Sequence, residues 1–382
     1  MPIKDKVVNW FIQNVLAPKK EIIDKPGFVV TTFTEENQVT YLRELFLPEK
    51  LLEDLENNVI NKYGDKGKQT LYSAGKKFGY LYAQLSNFPT IKDYSEKDMS
   101  NFISLLVKYM ETTFSKNADY KTNFDEKTLF LSFEDYVVCR HNGYGYILTE
   151  GGSAGLWSYL MQDKSIEAIQ LECEGRENDK CNILCESSDK LIEKIDERFY
   201  KELELPEKRL NESYKAMNEI RPSSYSNNSM KDLINSNFFR YEGGSFFYNG
   251  NRFFGCESHI LYLLEKEISK LEEGEKIIFE TCFEYGKTLR RTYSDTDYSG
   301  FLTDFFPAIG FGDITVLSQK EPTVASIYYP WTRFSEESNF IIFRGILSGF
   351  VSDATGEKVI FDTYETDINN YLTLTIKSNS KN

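Results

Sequence analysis

A chain of 382 residues exceeds what one ordinary hydrophobic core holds and suits two domains. Its formal net charge of −14 would repel a nucleic-acid backbone or an anionic membrane, and no basic stripe interrupts that balance, so neither is expected as the main partner. Six scattered cysteines do not make a disulfide framework and read as thiols or ligands, while 29 Phe and 25 Tyr call for large cores or a cavity walled by rings.

In chain order, Val7, Val8, Phe11, Ile12 and Val15 share one face of an N-terminal helix within residues 1–25, in a run too short and too polar for a signal peptide. No later stretch is apolar for the length of a bilayer, which predicts a cytoplasmic chain with no transmembrane segment. After Pro26-Gly27, Phe28 to Phe33 has strand composition. Pro48 and Glu49 open a helix with Leu51, Leu52, Leu55, Val59 and Ile60 on one side. A second helix runs through Leu71, Gly75, Phe78, Gly79 and Tyr82. Ser95 and Asp98 form a capping box for a third, whose buried face holds Phe102, Ile103, Leu106, Val107 and Met110.

The period then changes. Thr128 to Arg140 reads as a strand, and Tyr144 to Leu148 as a shorter one after Asn142-Gly143. The glycine-hinged run Glu150-Gly151-Gly152-Ser153-Ala154-Gly155-Leu156-Trp157 starts a helix that can lie close on its neighbour. A strand from Ile166 to Cys173, a polar loop and a returning strand from Cys181 place one cysteine at each lip of a hairpin. The pair could share a metal or a disulfide.

From Asp189 the pattern is an amphipathic helix with Leu191, Ile192, Ile195, Phe199 and Leu203 as its stripe, and Arg221 to Ser229 has linker composition. The domain boundary is placed in 188–230. Residues 231–378 then retrace 26–187. Ile260, Leu263, Leu264 and Ile268 match the first helix, Phe279 to Gly286 lies over Tyr72 to Gly79, and Phe340 to Phe350 over Tyr146 to Leu156. Val359 to Tyr364 covers the strand ending in Cys173, so Tyr364 stands where Cys173 does. This predicts an internal duplication of whole domains, with the cysteine site in the first copy.

The run Gly151-x-x-Ala154-Gly155, Glu172-Cys173, Gly175 and Asp179-Lys180-Cys181 resembles the 4-vinyl reductase domain family over roughly residues 26–187. The resemblance implies an α+β fold of helices on an antiparallel sheet, related to the small TRAPP vesicle-tethering subunits. Two tandem copies would then form an intramolecular pseudo-dimer. It implies a non-enzymatic binding or sensing protein for a small hydrophobic or aromatic ligand, passing its signal to a protein partner. A TRAPP-like interaction scaffold and an accessory role in tetrapyrrole vinyl reduction are the alternatives. In the aromatic sensors of that family, zinc is held by both hairpin cysteines, a Glu three residues before the first, and a Cys near the glycine hinge.

Carried over, Cys173 and Cys181 match the hairpin pair, Gln170 stands at the Glu position, and no Cys immediately precedes Gly151. Glu172, Cys185, or Cys139 with His141 are the substitutes at hand, and zinc, free thiols and a Cys173–Cys181 disulfide stay open. Elements that would enclose a cavity in such a fold carry Phe78, Tyr82, Phe102, Leu106, Tyr136, Trp157 and Met161, taken as the ligand lining. No nucleophile motif accompanies His141 or His259, and neither a phosphate loop nor a dinucleotide fingerprint is present, so no catalytic residue is assigned.

Overall fold

The computed structural model describes residues 20–35, 38–139, 145–192, 228–242, 245–291, 298–332, 338–369 and 373–378. The N-terminal helical face of Val7 to Val15, the turn at His141, the stripe positions Ile195, Phe199 and Leu203, and the linker up to residue 227 lie outside these residues.

Strands β1 (Lys20–Lys25), β2 (Phe28–Glu35) and β3 (Gln38–Pro48) form a meander, followed by helices α1 (Glu49–Tyr63), α2 (Asp65–Leu85) and α3 (Glu96–Phe114). Next come β4 (Asn117–Asn123), β5 (Thr128–Glu134), α4 (Ile147–Met161), β6 (Ile166–Glu172) and β7 (Cys181–Ser187). Two short helices, α5 (Ser188–Ile192) and α6 (Met230–Asn235), flank the linker. The second half carries β8 (Arg240–Glu242), β9 (Ser245–Tyr248), β10 (Asn251–Glu257), α7 (His259–Ile268), α8 (Gly274–Arg291) and α9 (Tyr298–Ala308). It ends with β11 (Asp313–Ser318), β12 (Thr323–Ile327), α10 (Ile341–Thr355), β13 (Phe361–Asp367) and β14 (Thr373–Ser378). The fold is α+β with antiparallel sheets. From β1 to β7 and from β8 to β14 the succession is the same: three strands, three helices, two strands, a helix, two strands.

The sheets repeat that correspondence. One orders as β4-β5-β7-β6, another as β11-β12-β14-β13, and a six-stranded sheet, β1-β2-β3-β10-β9-β8, joins the halves. At its centre β3 and β10 run antiparallel, from Phe253 opposite Pro48 to Glu257 opposite Glu44. Beside this seam α1 packs on α8 and α2 on α7. Polar ties cross it as well: Asn58 Nδ2 donates to Thr281 Oγ1 at 2.8 Å, and Lys77 pairs with Glu267 at 2.8 Å.

Three local readings differ from the structure. Lys20 to Lys25 is a strand rather than the tail of a helix, because pairing from Lys20 opposite Phe33 to Lys25 opposite Phe28 decides the state of so short a segment. Strand β5 stops at Glu134 because Asp135 (φ 55°) and Val138 (φ 68°) turn the chain into the left-handed region. Leu148, read as strand, is already helical: α4 begins at Ile147, and the buried carboxylate of Glu56 accepts the Leu148 N–H at 3.0 Å, satisfying an orphan donor of the helix start. The expected cap of α3 is present, with Ser95 Oγ accepting the Asp98 N–H.

Candidate functional site

The site rests on the crossing of α2 and α4. A Cβ on Gly75 would lie 2.1 Å from Leu148 O, on Gly79 2.0 Å from Gly152 O, on Gly151 2.1 Å from Tyr72 O, and on Gly155 1.9 Å from Lys76 O. Backbone meets backbone there, so these four positions exclude any side chain. Gly152 differs, because a Cβ on it would find only Gly75 O, at 3.9 Å. It faces a space left where α3 and β10 stand away from the crossing.

That space is an apolar cavity of about 120 Å³. Helix α2 contributes Phe78, Gly79 and Tyr82, and α3 contributes Leu106, Tyr109, Met110 and Phe114. Helix α4 presents Leu148, Thr149, Gly152, Ser153 and Leu156, with Tyr136 and Tyr146 beside them. Glu44 of β3 and Val137 also line it, and the rest of the wall comes from the second half, as Phe254 to Glu257 of β10 and Ile260 of α7. Phe114 meets Phe254 edge-on at 5.9 Å across this junction. Burial pushes the phenols of Tyr82, Tyr109, Tyr136 and Tyr146 upward, so they stay neutral.

Of the residues named as lining, Phe78, Tyr82, Leu106 and Tyr136 lie on the cavity wall. The other three pack elsewhere. Phe102 sits against Phe88 (4.9 Å between centroids), Trp157 is buried with Nε1 donating to Lys127 O at 2.7 Å, and Met161 belongs to the buried core at the end of α4. His259 is buried, with Nδ1 2.7 Å from Glu257 Oε1, which anchors the first turn of α7 beside the cavity.

Behind the wall formed by Tyr136 and Tyr146 sits a cysteine cluster. Cys173 and Cys181 approach to 3.9 Å between sulfurs, and Cys139 joins them, all three Sγ atoms lying within 4.8 Å of one another and fully buried. Cys139 arrives through the strained backbone after β5: Val138 is β-branched and left-handed, and the buried Glu49 carboxylate holds its N–H at 2.5 Å. Hydrogen bonds from Cys139 and Cys181, the Gly175 N–H and the charge of Arg176 pull the Cys173 thiol well below its ordinary range. Glu172 is exposed and bonded to Asn182, and Cys185 is buried in β7 apart from the cluster.

Gln170 links cluster and cavity. Its Nε2 donates to Cys139 Sγ at 3.2 Å and its Oε1 accepts the Tyr146 N–H at 3.1 Å, while its own N–H goes to the buried Glu150 at 2.6 Å. Glu174 works in parallel, accepting the N–H groups of Asp135 (2.8 Å) and Tyr136 (3.2 Å) with its Oε2 3.8 Å from Cys181 Sγ. Two cavity tyrosines therefore hang from the cysteine hairpin by their backbones. A four-ligand zinc site of the expected kind meets three thiols here and no fourth donor in position among the described residues.

No described helix is long and apolar enough to cross a membrane. No family model matches the chain, and no curated protein matches it. Among solved structures, the chain is similar to the phenol-responsive sensory domain of the transcription activator PoxR, a crystal structure with phenol. The identity is 18%, the match covers 50% of this chain and 95% of that chain, and the TM-score is 0.34.

Proposed function

We propose that this protein binds a small hydrophobic molecule, about the size of one aromatic ring, in the cavity between α2, α3, α4 and β10. The observation that carries the reading is the cavity itself: about 120 Å³ and lined mainly by rings and aliphatic side chains, with Glu44 and Glu257 on its wall. An engineered apolar cavity of roughly 150 Å³ stays dry and takes benzene, so a hole of this size is suited to a single ring. The role is binding rather than turnover. Because β10 and α7 supply one wall, an occupant touches both halves and favours the arrangement in which β10 closes over the helices. That population shift is the signal a protein partner would read.

The halves are read as two copies of one domain paired within the chain. The repeated order of elements, the matching sheet orders and the equivalent helix crossings support this. The first copy is read as a divergent relative of the 4-vinyl reductase domain, on the strength of its glycine hinge and cysteine hairpin.

The test fills the hole. Gly152→Ile with Leu156→Phe should abolish the thermal stabilisation and tyrosine-fluorescence change that toluene or phenol produces in the parent chain, while keeping the fold, since a Cβ at Gly152 has room. Equal responses in parent and variant would place the ligand elsewhere.

A further inference from the structure

The three buried thiols present a donor set that differs from a zinc centre in a specific way. Their polar surroundings are mostly N–H groups: Gln170 Nε2 donates to Cys139 Sγ at 3.2 Å, and the Glu174 N–H to Cys181 Sγ at 3.4 Å. The Gln170 amide cannot turn its oxygen to the sulfurs, because the buried Tyr146 N–H needs that oxygen as its acceptor at 3.1 Å. An amide nitrogen already bonded through its hydrogen has no lone pair to give a metal. The carboxylate of Glu174, whose Oε2 stands 3.8 Å from Cys181 Sγ, is held in place by the Asp135 and Tyr136 N–H groups that it accepts.

Distance alone does not choose the ion. With metal–sulfur bonds of about 2.3 Å, sulfurs stand about 3.8 Å apart on a tetrahedron and about 4.0 Å apart in a planar triangle. The 3.9 Å between Cys173 and Cys181 suits either. Among the described residues the count of donors does choose. Zinc takes four ligands, one of them a water in open sites, whereas a soft monovalent ion is satisfied by three thiolates. All three sulfurs here are fully buried.

We propose that Cys139, Cys173 and Cys181 form a three-coordinate, all-sulfur site for a soft cation of the monovalent copper class, with Gln170 as the residue that withholds a fourth ligand. This goes beyond the ligand-cavity reading and does not rest on it. Ligand binding is read by tyrosine fluorescence and metal binding by chelator competition, so either can fail without the other.

The experiment uses the purified full chain under anaerobic, reducing conditions. Copper(I) is titrated against bathocuproine disulfonate, and zinc(II) against a chromophoric chelator. One equivalent of copper(I) should be retained with three sulfur scatterers by X-ray absorption. Cys139→Ser, Cys173→Ser and Cys181→Ser should each weaken retention at least a hundredfold. Gln170→Glu keeps an oxygen for Tyr146 and adds a second one facing the sulfurs, so it should raise zinc affinity at least tenfold and leave copper(I) affinity unimproved. Should a serine variant lose its native circular dichroism, the Gln170→Glu result decides. Failure to retain copper(I), full retention by folded Cys139→Ser, or a Gln170→Glu chain whose zinc affinity does not rise would each overturn the proposal.

Discussion

The same helix crossing, met twice, has opposite surroundings in the two halves. Gly151 and Gly155 of α4 touch Tyr72 and Lys76 of α2, and Gly345 and Gly349 of α10 touch Phe279 and Phe283 of α8 at the corresponding places. Around that shared joint, α4 turns Leu148, Thr149, Gly152, Ser153 and Leu156 to the cavity. Helix α10 carries Ile342, Phe343, Ile346, Leu347 and Phe350 at those turns, all of them buried. Phe350 stacks on Phe301 at 5.0 Å, and Phe343 packs on Phe311 at 5.4 Å and Tyr329 at 5.1 Å. Both crossings bring glycine of one helix against backbone of the other, although Cys282 stands where Gly75 does, and side-chain volume beside the joint leaves the cavity next to α4.

Polarity diverges as freely as volume. Lys76 and Tyr72 both reach the buried Glu167 at 2.6 Å, whereas their counterparts Phe283 and Phe279 stack on each other. Glu150 accepts the Gln170 N–H at 2.6 Å, and in its place Arg344 donates from Nε to the Phe361 carbonyl at 2.9 Å. The helix is tied to the same point of the neighbouring strand by bonds of reversed sense. Buried glutamates on the first helix of each half do share one role, since Glu56 takes the N–H of Leu148 and Glu265 that of Ile342.

The largest expected effect tests the shared joint. Gly155→Val or Gly349→Val would set a Cβ 1.9 or 1.8 Å from a carbonyl oxygen, and either should cost more than ~5 kcal/mol, read as loss of the cooperative denaturant transition. Equal tolerance of both would mean the crossing is not what holds each half. Next, Phe350→Ala should cost about 3–5 kcal/mol and open a second hole that toluene refills, measurable as a larger ligand-induced rise in Tm than in the parent.

Glu150 sharpens the contrast in polarity. Burial pushes its carboxyl up to about 7 from 4.5, so the folded state holds that proton more tightly than the unfolded state. The group therefore stabilises fully below 4.5, and the benefit is lost as pH rises through 7. Glu150→Gln should remove a decline of at most about 3 kcal/mol across that window, seen in urea titrations at several pH values. Arg344→Gln in the other half should leave that window unchanged. Smallest, Lys77→Ala removes the partly buried bridge to Glu267 between the halves and should cost about 1 kcal/mol in the same titration.

Much of the local structure was legible in the sequence because its causes are local. Ser95 caps the helix it precedes, and the glycines spaced four apart announced a close crossing. The hairpin had to bring Cys173 to Cys181, since few residues separate them. Cys139 stood only among several substitutes. Its arrival depends on a left-handed Val138 and on Glu49, which is distant in sequence. The face of α4 was unreadable for another reason: the helix is buried nearly all round, so hydrophobic period could not separate Leu156 on the cavity from Trp157 in the core. Phe254 and Ile260 carried no signal at all, because they become cavity wall only through the pairing of β3 with β10.

By itself, then, the order of residues determined most of the helices, a minority of the strands, the glycine crossing and the cysteine hairpin, all set by backbone preference and short-range spacing. The sequence already puts the hollow in the first half; only the tertiary structure decided which surfaces close it and which third sulfur completes the cluster. Those outcomes come from packing between segments far apart in the chain, where a difference of one side chain's volume leaves either a filled core or a cavity.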